Sequence, residues 1–136
     1  MDKTAAQTAL EASEVFNNFE EDQLSLLNES GQTRRFSKGE DIYEKGSDSH
    51  GTFCLIVSGG VEIVSENGQI LQRMGANEVI GEVGTISPQN KRTITVRATE
   101  SVEVLEWDLA SIEDNFPELL KRLKDLAWKR VTNWYE

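Results

Sequence analysis

At 136 residues the chain is long enough to bury about two-thirds of its unfolded surface around one core, which argues against a second, catalytic domain. Its 14 basic and 24 acidic residues leave a net charge of −10, a surface that repels a phosphate backbone and argues against nucleic acid as a partner. The single cysteine, Cys54, lies in the apolar run FCLIV and has no intramolecular partner, no signal-peptide pattern opens the chain, and no apolar run nears the ~18 residues of a membrane span, so a cytoplasmic protein that leaves membranes alone is expected.

Three regions are expected within one domain: residues 1–31 helical, 32–107 β-rich, and 108–136 helical again. Thr4 to Phe16 carries Leu10, Val15 and Phe16 at loosely helical spacing, a first helix with a weakly apolar face. Asn18 followed by Glu21 resembles an N-cap with a returning carboxylate, starting a second helix whose Leu24, Leu26 and Leu27 run to a stop at Gly31. From Gln32 short β-rich runs alternate with glycines: RRF, DIY, TFCLIVS, GVEIVS, ILQRM, TITVRA and VEVLEW. Asn67-Gly68 between GVEIVS and ILQRM predicts a two-residue hairpin with positive φ at both positions. Short strands so closely spaced predict a mainly β fold, an antiparallel barrel or jelly roll flanked by helices. After Trp107 the period is helical again. Pro117 suits a first turn, and Leu119, Leu120, Leu123, Leu126, Ala127, Val131 and Trp134 recur at spacings of three and four. Lys121, Arg122, Lys124, Lys129 and Arg130 give this amphipathic helix a basic side, expected to be solvated or to dock an acidic partner or another subunit.

Enzymatic chemistry finds little to work with. His50 is the only histidine and lies in the loop SDSHG, so no multi-histidine metal site can be assembled, and no phosphate loop of the GxxxxGK[ST] form occurs. The informative stretch is VIGEVGTISPQNKRTITVRA, residues 79–98. Gly81 allows close backbone approach, and backbone amides of a short helical turn after it can converge on an anion. An ionised Glu82 only accepts hydrogen bonds and would complement a hydroxyl, while Arg92 supplies a planar fork for two phosphate oxygens, with the Thr93 hydroxyl next to it. Together they suit a ligand with a sugar hydroxyl and a phosphate. Equally open on spacing alone is a plain ion pair between Glu82 and Arg92 across two strands, worth at most about 1 kcal/mol if exposed.

FSKGEDIYEKGSDSHGTFCLIVSGGVEIV and GEVGTISPQNKRTITVRA together resemble the cyclic nucleotide-binding domain family. The earlier stretch is similar to that family's entry into its barrel, with Gly39, Gly46 and Gly59 or Gly60 at glycine-marked turns, and the later stretch is similar to its phosphate-binding cassette. The resemblance runs from about Phe16 to the end of the chain. It implies that Glu82 binds the ribose 2′-hydroxyl and Arg92 the cyclic phosphate, with Gly81, the backbone of Val83 and Gly84, and Thr93 completing the cradle. It also implies a base pocket of Ile63, Leu71, Gln72 and Met74. Trp134, near Trp128 and Tyr135, is placed either as a lid stacked on the base or as a continuation of the leucine stripe. Two positions depart from the family pattern: Ile94 stands where a small residue is usual, on the same strand face as Arg92, and Thr85 where an apolar one is. The implied function is that of a non-enzymatic cAMP or cGMP sensor, signalling through its last helix to a protein partner or across a homodimer. The alternative is a domain that keeps the fold without the ligand and acts as an adaptor. In a sensor, Arg92→Ala is expected to abolish the response while sparing the fold.

Overall fold

The computed structural model describes residues 4–86 and 90–134, with Ile86, Asn133 and Trp134 described by backbone alone. The positions considered for an aromatic lid, the Trp134 side chain and Tyr135, therefore lie outside the described residues.

Helix α1 (Ala5–Ala12) opens on a reciprocal cap: Thr4 Oγ1 accepts from the Gln7 amide at 3.1 Å while Gln7 Oε1 accepts from the Thr4 amide at 3.0 Å. It does not continue to Phe16. Ser13 is extended, and the chain restarts as a 3-10 turn, Glu14–Phe16, that lets Phe16 swing into the core. Helix α2 (Glu21–Ser30) starts later than expected: Glu20 is the N-cap, with Gln23 Oε1 accepting from its amide at 2.9 Å. Asn18 instead takes the left-handed conformation, φ +68°, which asparagine tolerates.

Eight strands follow in two antiparallel four-stranded sheets, the expected jelly roll. They are β1 (Gln32–Phe36), β2 (Asp41–Tyr43), β3 (Thr52–Ser58), β4 (Val61–Val64), β5 (Ile70–Met74), β6 (Val79–Ile80), β7 (Thr95–Ala98) and β8 (Val102–Asp108). One sheet has the order β1-β8-β3-β6, the other β2-β7-β4-β5. The hairpin between β4 and β5 forms, with a different turn. Gly68 N donates to Ser65 O at 2.9 Å and Ser65 N to Gln69 O at 2.8 Å, and of the Asn-Gly pair only Gly68 has positive φ, +82°. That is a three-residue loop closed by a left-handed glycine, the next most common hairpin after the two-residue form.

The alternation of β3 and β8 divides the interior into two cores, because successive side chains point to opposite faces. Phe53, Leu55, Leu105 and Trp107 face the helices, whereas Cys54, Ile56, Val102 and Val104 face the space between the sheets. On the helical side, Phe53 stacks on Trp107 at 5.5 Å between centroids, and Trp107 Nε1 donates to Leu27 O at 2.8 Å, so the buried indole keeps a partner. After the short helix α4 (Leu109–Asn115), helix α5 (Pro117–Trp134) lays Leu119 and Leu123 into that core and also buries Ala127. Between β6 and β7 sits the short helix α3 (Glu82–Ile86), which packs against α5.

Candidate functional site

Strand β6 ends at Gly81, whose φ is +90° and whose backbone lies against the Tyr43 ring: a Cβ here would fall 2.7 Å from Tyr43 Cε2. Only glycine combines that dihedral with that approach. The turn delivers Glu82 as the first residue of α3, its side chain pointing inward and 1% exposed. Arg92, just ahead of β7, enters the same space from the other side and is 5% exposed. Val83, Gly84 and Thr93 border it, as do Ile63 and Ile94 from the barrel. The cavity volume is about 20 Å³, room for about one water.

Glu82 and Arg92 do not form the simple ion pair that spacing left open. The partner of Glu82 is Arg130 on α5: Arg130 Nη1 donates to Glu82 Oε1 at 2.6 Å and to Val79 O at 2.6 Å. Nη2 of the same guanidinium lies 3.6 Å from Glu78 Oε2 and 3.6 Å from Met74 Sδ. Arg130 is only 8% exposed, so the solvated role expected for it is corrected. Glu82 Oε2 has no hydrogen-bond partner among the described residues. Burial lifts the Glu82 carboxyl above its ordinary range, with the charge and hydrogen bond of Arg130 pulling the other way.

Arg92 is spent on the protein itself. Nη1 donates to Gly81 O at 2.9 Å and Thr85 Oγ1 at 3.3 Å, and Nη2 to Ser49 O at 2.9 Å, Thr52 O at 2.9 Å and Thr52 Oγ1 at 3.0 Å. The guanidinium lies 3.6 Å above the centre of the Tyr43 ring, a cation–π contact. Thr85, at a position where the family pattern is apolar, therefore has work for its hydroxyl, which also donates to Thr52 O. Burial holds the Arg92 pKa below its ordinary value.

Of the residues expected in a base pocket, Ile63 borders the space and Met74 reaches it through Arg130. Leu71 packs half-buried against the inter-sheet core, and Gln72, opposite Ile63 in the β4–β5 register, is exposed. Tyr43, Ser49 and Thr52 were not foreseen. Ser49 acts through its carbonyl, which no side-chain pattern marks, and Thr52 through both its carbonyl and its hydroxyl. Arg130 was legible in principle: it lies seven residues beyond Leu123, on the buried face of α5.

Cys54 is fully buried and its thiol is pushed up to about 12, chiefly by burial. It should resist an aromatic disulfide reagent at pH ~8, where only exposed, ionised thiols react rapidly. Denaturant should release one equivalent of reactive thiol; prompt labelling of the native protein would contradict this packing.

Among the described residues no group of His, Cys, Asp and Glu could hold a metal ion, and no helix is long and apolar enough to cross a membrane. Residues 33–117 match the family model described as cyclic nucleotide-binding domain, a family of binding rather than catalytic modules. Among solved structures, a protein from Geobacter metallireducens GS-15 assigned provisionally to cyclic nucleotide binding is 20% identical, over 96% of this chain and 97% of its own, with a TM-score of 0.72. PfPKA-R, solved with cAMP bound, is 16% identical over 93% of this chain and 43% of its own, TM-score 0.79. The regulatory subunit of a cAMP-independent protein kinase A from Trypanosoma brucei is 16% identical over 92% of this chain and 44% of its own, TM-score 0.75. At these identities the likenesses carry the fold.

Proposed function

This chain belongs to the cyclic nucleotide-binding domain family, and from that premise we propose that it is a regulatory domain that senses cAMP or cGMP in the cytoplasm. Glu82 receives the ribose 2′-hydroxyl. Arg92 receives the cyclic phosphate, with Thr93 and the amides of Val83 and Gly84 around it, and the base lies toward Ile63, Leu71, Gln72 and Met74. The observation that carries the reading is Glu82 Oε2, an unpartnered oxygen of a buried carboxylate whose residue lines the same space as Arg92. Such an acceptor costs about 1–3 kcal/mol until a donor reaches it, and a sugar hydroxyl is a donor of the right kind. Arg92 meets the phosphate by exchanging carbonyl acceptors for anionic oxygens, which make stronger bonds. Output passes through α5, whose outer face presents Trp128 at 75% exposure, to a protein partner or another copy of the chain.

Thermal denaturation with cAMP or cGMP tests this. At a hundredfold over the dissociation constant, binding adds about 2.7 kcal/mol, a rise in Tm on the order of 10 °C for a domain of this size. No shift with either nucleotide at millimolar concentration would sink the proposal.

A different reading, a ligand-free adaptor, draws on the satisfied state of Arg92 and the small size of the space, which Ile94 helps to line. The Trypanosoma brucei protein is a precedent for the fold in a cAMP-independent subunit. The same titration separates the two.

A further inference from the structure

Each carbonyl that holds the Arg92 guanidinium has a second donor. Gly81 O also accepts from Thr85 N at 3.2 Å, Ser49 O from Thr52 N at 3.2 Å, and Thr52 O from the Thr85 hydroxyl. The arginine can therefore turn toward an anion without leaving any of these carbonyls bare, the state that is costly at a buried site. Two of the second donors are backbone amides in local turns; the third is a side chain. Thr52 O depends on that side chain because the sheet supplies nothing there. Leu109 N bonds Gly51 O at 2.8 Å, and bonded and non-bonded pairs alternate between antiparallel strands, so the carbonyl of Thr52, opposite Asp108, points away from β8. On its other side β6 stops at Ile80, opposite Cys54, and the position that would next face Thr52 is Glu82, already in α3. Thr85, buried one turn further along that helix, fills the gap: its hydroxyl donates to Thr52 O and accepts from Arg92 Nη1 at 3.3 Å.

We propose that Thr85 is a positioning residue that sets nucleotide affinity in this chain: its hydroxyl keeps Thr52 O bonded while Arg92 turns to the phosphate. The inference rests on the cyclic-nucleotide reading and adds to it a residue that acts through Arg92, at a position where the family pattern is apolar. With an apolar side chain at 85, Arg92 is the one side chain left to donate to Thr52 O among the described residues. Ligand then has to bare a buried carbonyl to win the guanidinium, and its affinity falls by the cost of doing so.

The test combines calorimetric titration of cAMP and cGMP with melts of the ligand-free chain. Thr85→Val keeps the shape and loses the hydroxyl; it should bind nucleotide at least about fivefold more weakly. Its ligand-free midpoint should stay within about 5 °C of the parent, because Arg92 still covers Thr52 O. Thr85→Ser keeps the donor and should bind within about twofold of the parent. Thr85→Ala leaves room for a water in place of the hydroxyl and should lose at least about twofold; it decides the matter if Thr85→Val does not fold. Without ligand, Thr85→Val and Arg92→Ala together should destabilise by more than the sum of the two in denaturant melts, since only the pair takes both donors from Thr52 O. Unchanged or tighter binding by a folded Thr85→Val, a loss in Thr85→Ser equal to that in Thr85→Val, or simple additivity in the melts would overturn the role of the hydroxyl while leaving nucleotide sensing intact. Absence of binding in every form, the unsubstituted protein included, overturns the sensing reading itself and this role with it; a more-than-additive pair then places the failure in the sensing and not in the shared carbonyl.

Discussion

Replacing Arg92 by alanine is expected to lower the melting midpoint by roughly 10–20 °C, as well as to abolish nucleotide binding. The guanidinium satisfies the carbonyls of Gly81, Ser49 and Thr52 and two threonine hydroxyls, and it covers the Tyr43 ring. Its removal takes a charged donor from each of these carbonyls, at about 1.5–3 kcal/mol per bond. Gly81 O, Ser49 O and Thr52 O keep a second donor in Thr85 N, Thr52 N and Thr85 Oγ1, so a net loss of about 3–5 kcal/mol is expected. This revises the expectation that the substitution would leave the fold untouched. Differential scanning calorimetry without ligand is the check. A midpoint within a few degrees of the parent would mean that these bonds contribute little and that Arg92 moves to a phosphate at almost no cost. Arg92→Lys should fall between, since a point charge cannot reproduce the fork.

Gly81→Ala should be nearly as damaging, by a different route. Alanine at φ +90° costs about 1–2 kcal/mol, and its Cβ would lie 2.7 to 2.8 Å from two ring carbons and the hydroxyl oxygen of Tyr43, adding overpacking strain of about 1–3 kcal/mol. The ring cannot retreat freely. Its face carries Arg92 at 3.6 Å and its hydroxyl bonds Cys54 Sγ at 3.2 Å. The diagnostic is a double-mutant cycle with Tyr43→Leu, read by denaturant melts. If the ring is the obstacle, the pair should be less destabilising than the sum of the two single changes; simple additivity would place the damage in the backbone alone.

Much of the architecture was legible from local pattern. The runs TFCLIVS and VEVLEW lie within β3 and β8, and the Gly81–Glu82 turn leads into a short helix as the glycine implied. Local rules failed where two solutions differed by little. Asn18 and Glu20 both sit ahead of α2, and tertiary placement of Phe16 and Phe19 decided between them. At Asn67-Gly68 the dipeptide marked the hairpin, but one loop residue more than expected changed the turn. The Glu82–Arg130 contact joins residues 48 positions apart. Glu82 and Arg92, by contrast, are visible as a motif because they are close in sequence. An arginine in an apolar helical stripe is the one local sign of the distant contact, and the basic residues around it masked that sign.

The order of the sheets has a consequence for synthesis. Strand β8 lies between β1 and β3, and β7 between β2 and β4, so each of these central strands follows both of its neighbours along the chain. As a nascent chain emerges, the β4–β5 hairpin and the β3–β6 pair can form, but β1, β2 and one edge of β3 wait for residues 95–108. Until then the molecule exposes unpaired edges of the kind that template aggregation. Strand β1 carries its own protection during that wait. Arg34 and Arg35 are exposed and charged, and in the finished fold they reach Glu106 and Glu103 of β8 at 3.2 and 2.9 Å. The same two side chains that discourage wrong partners on the way out of the ribosome thus meet opposite charges on the right one.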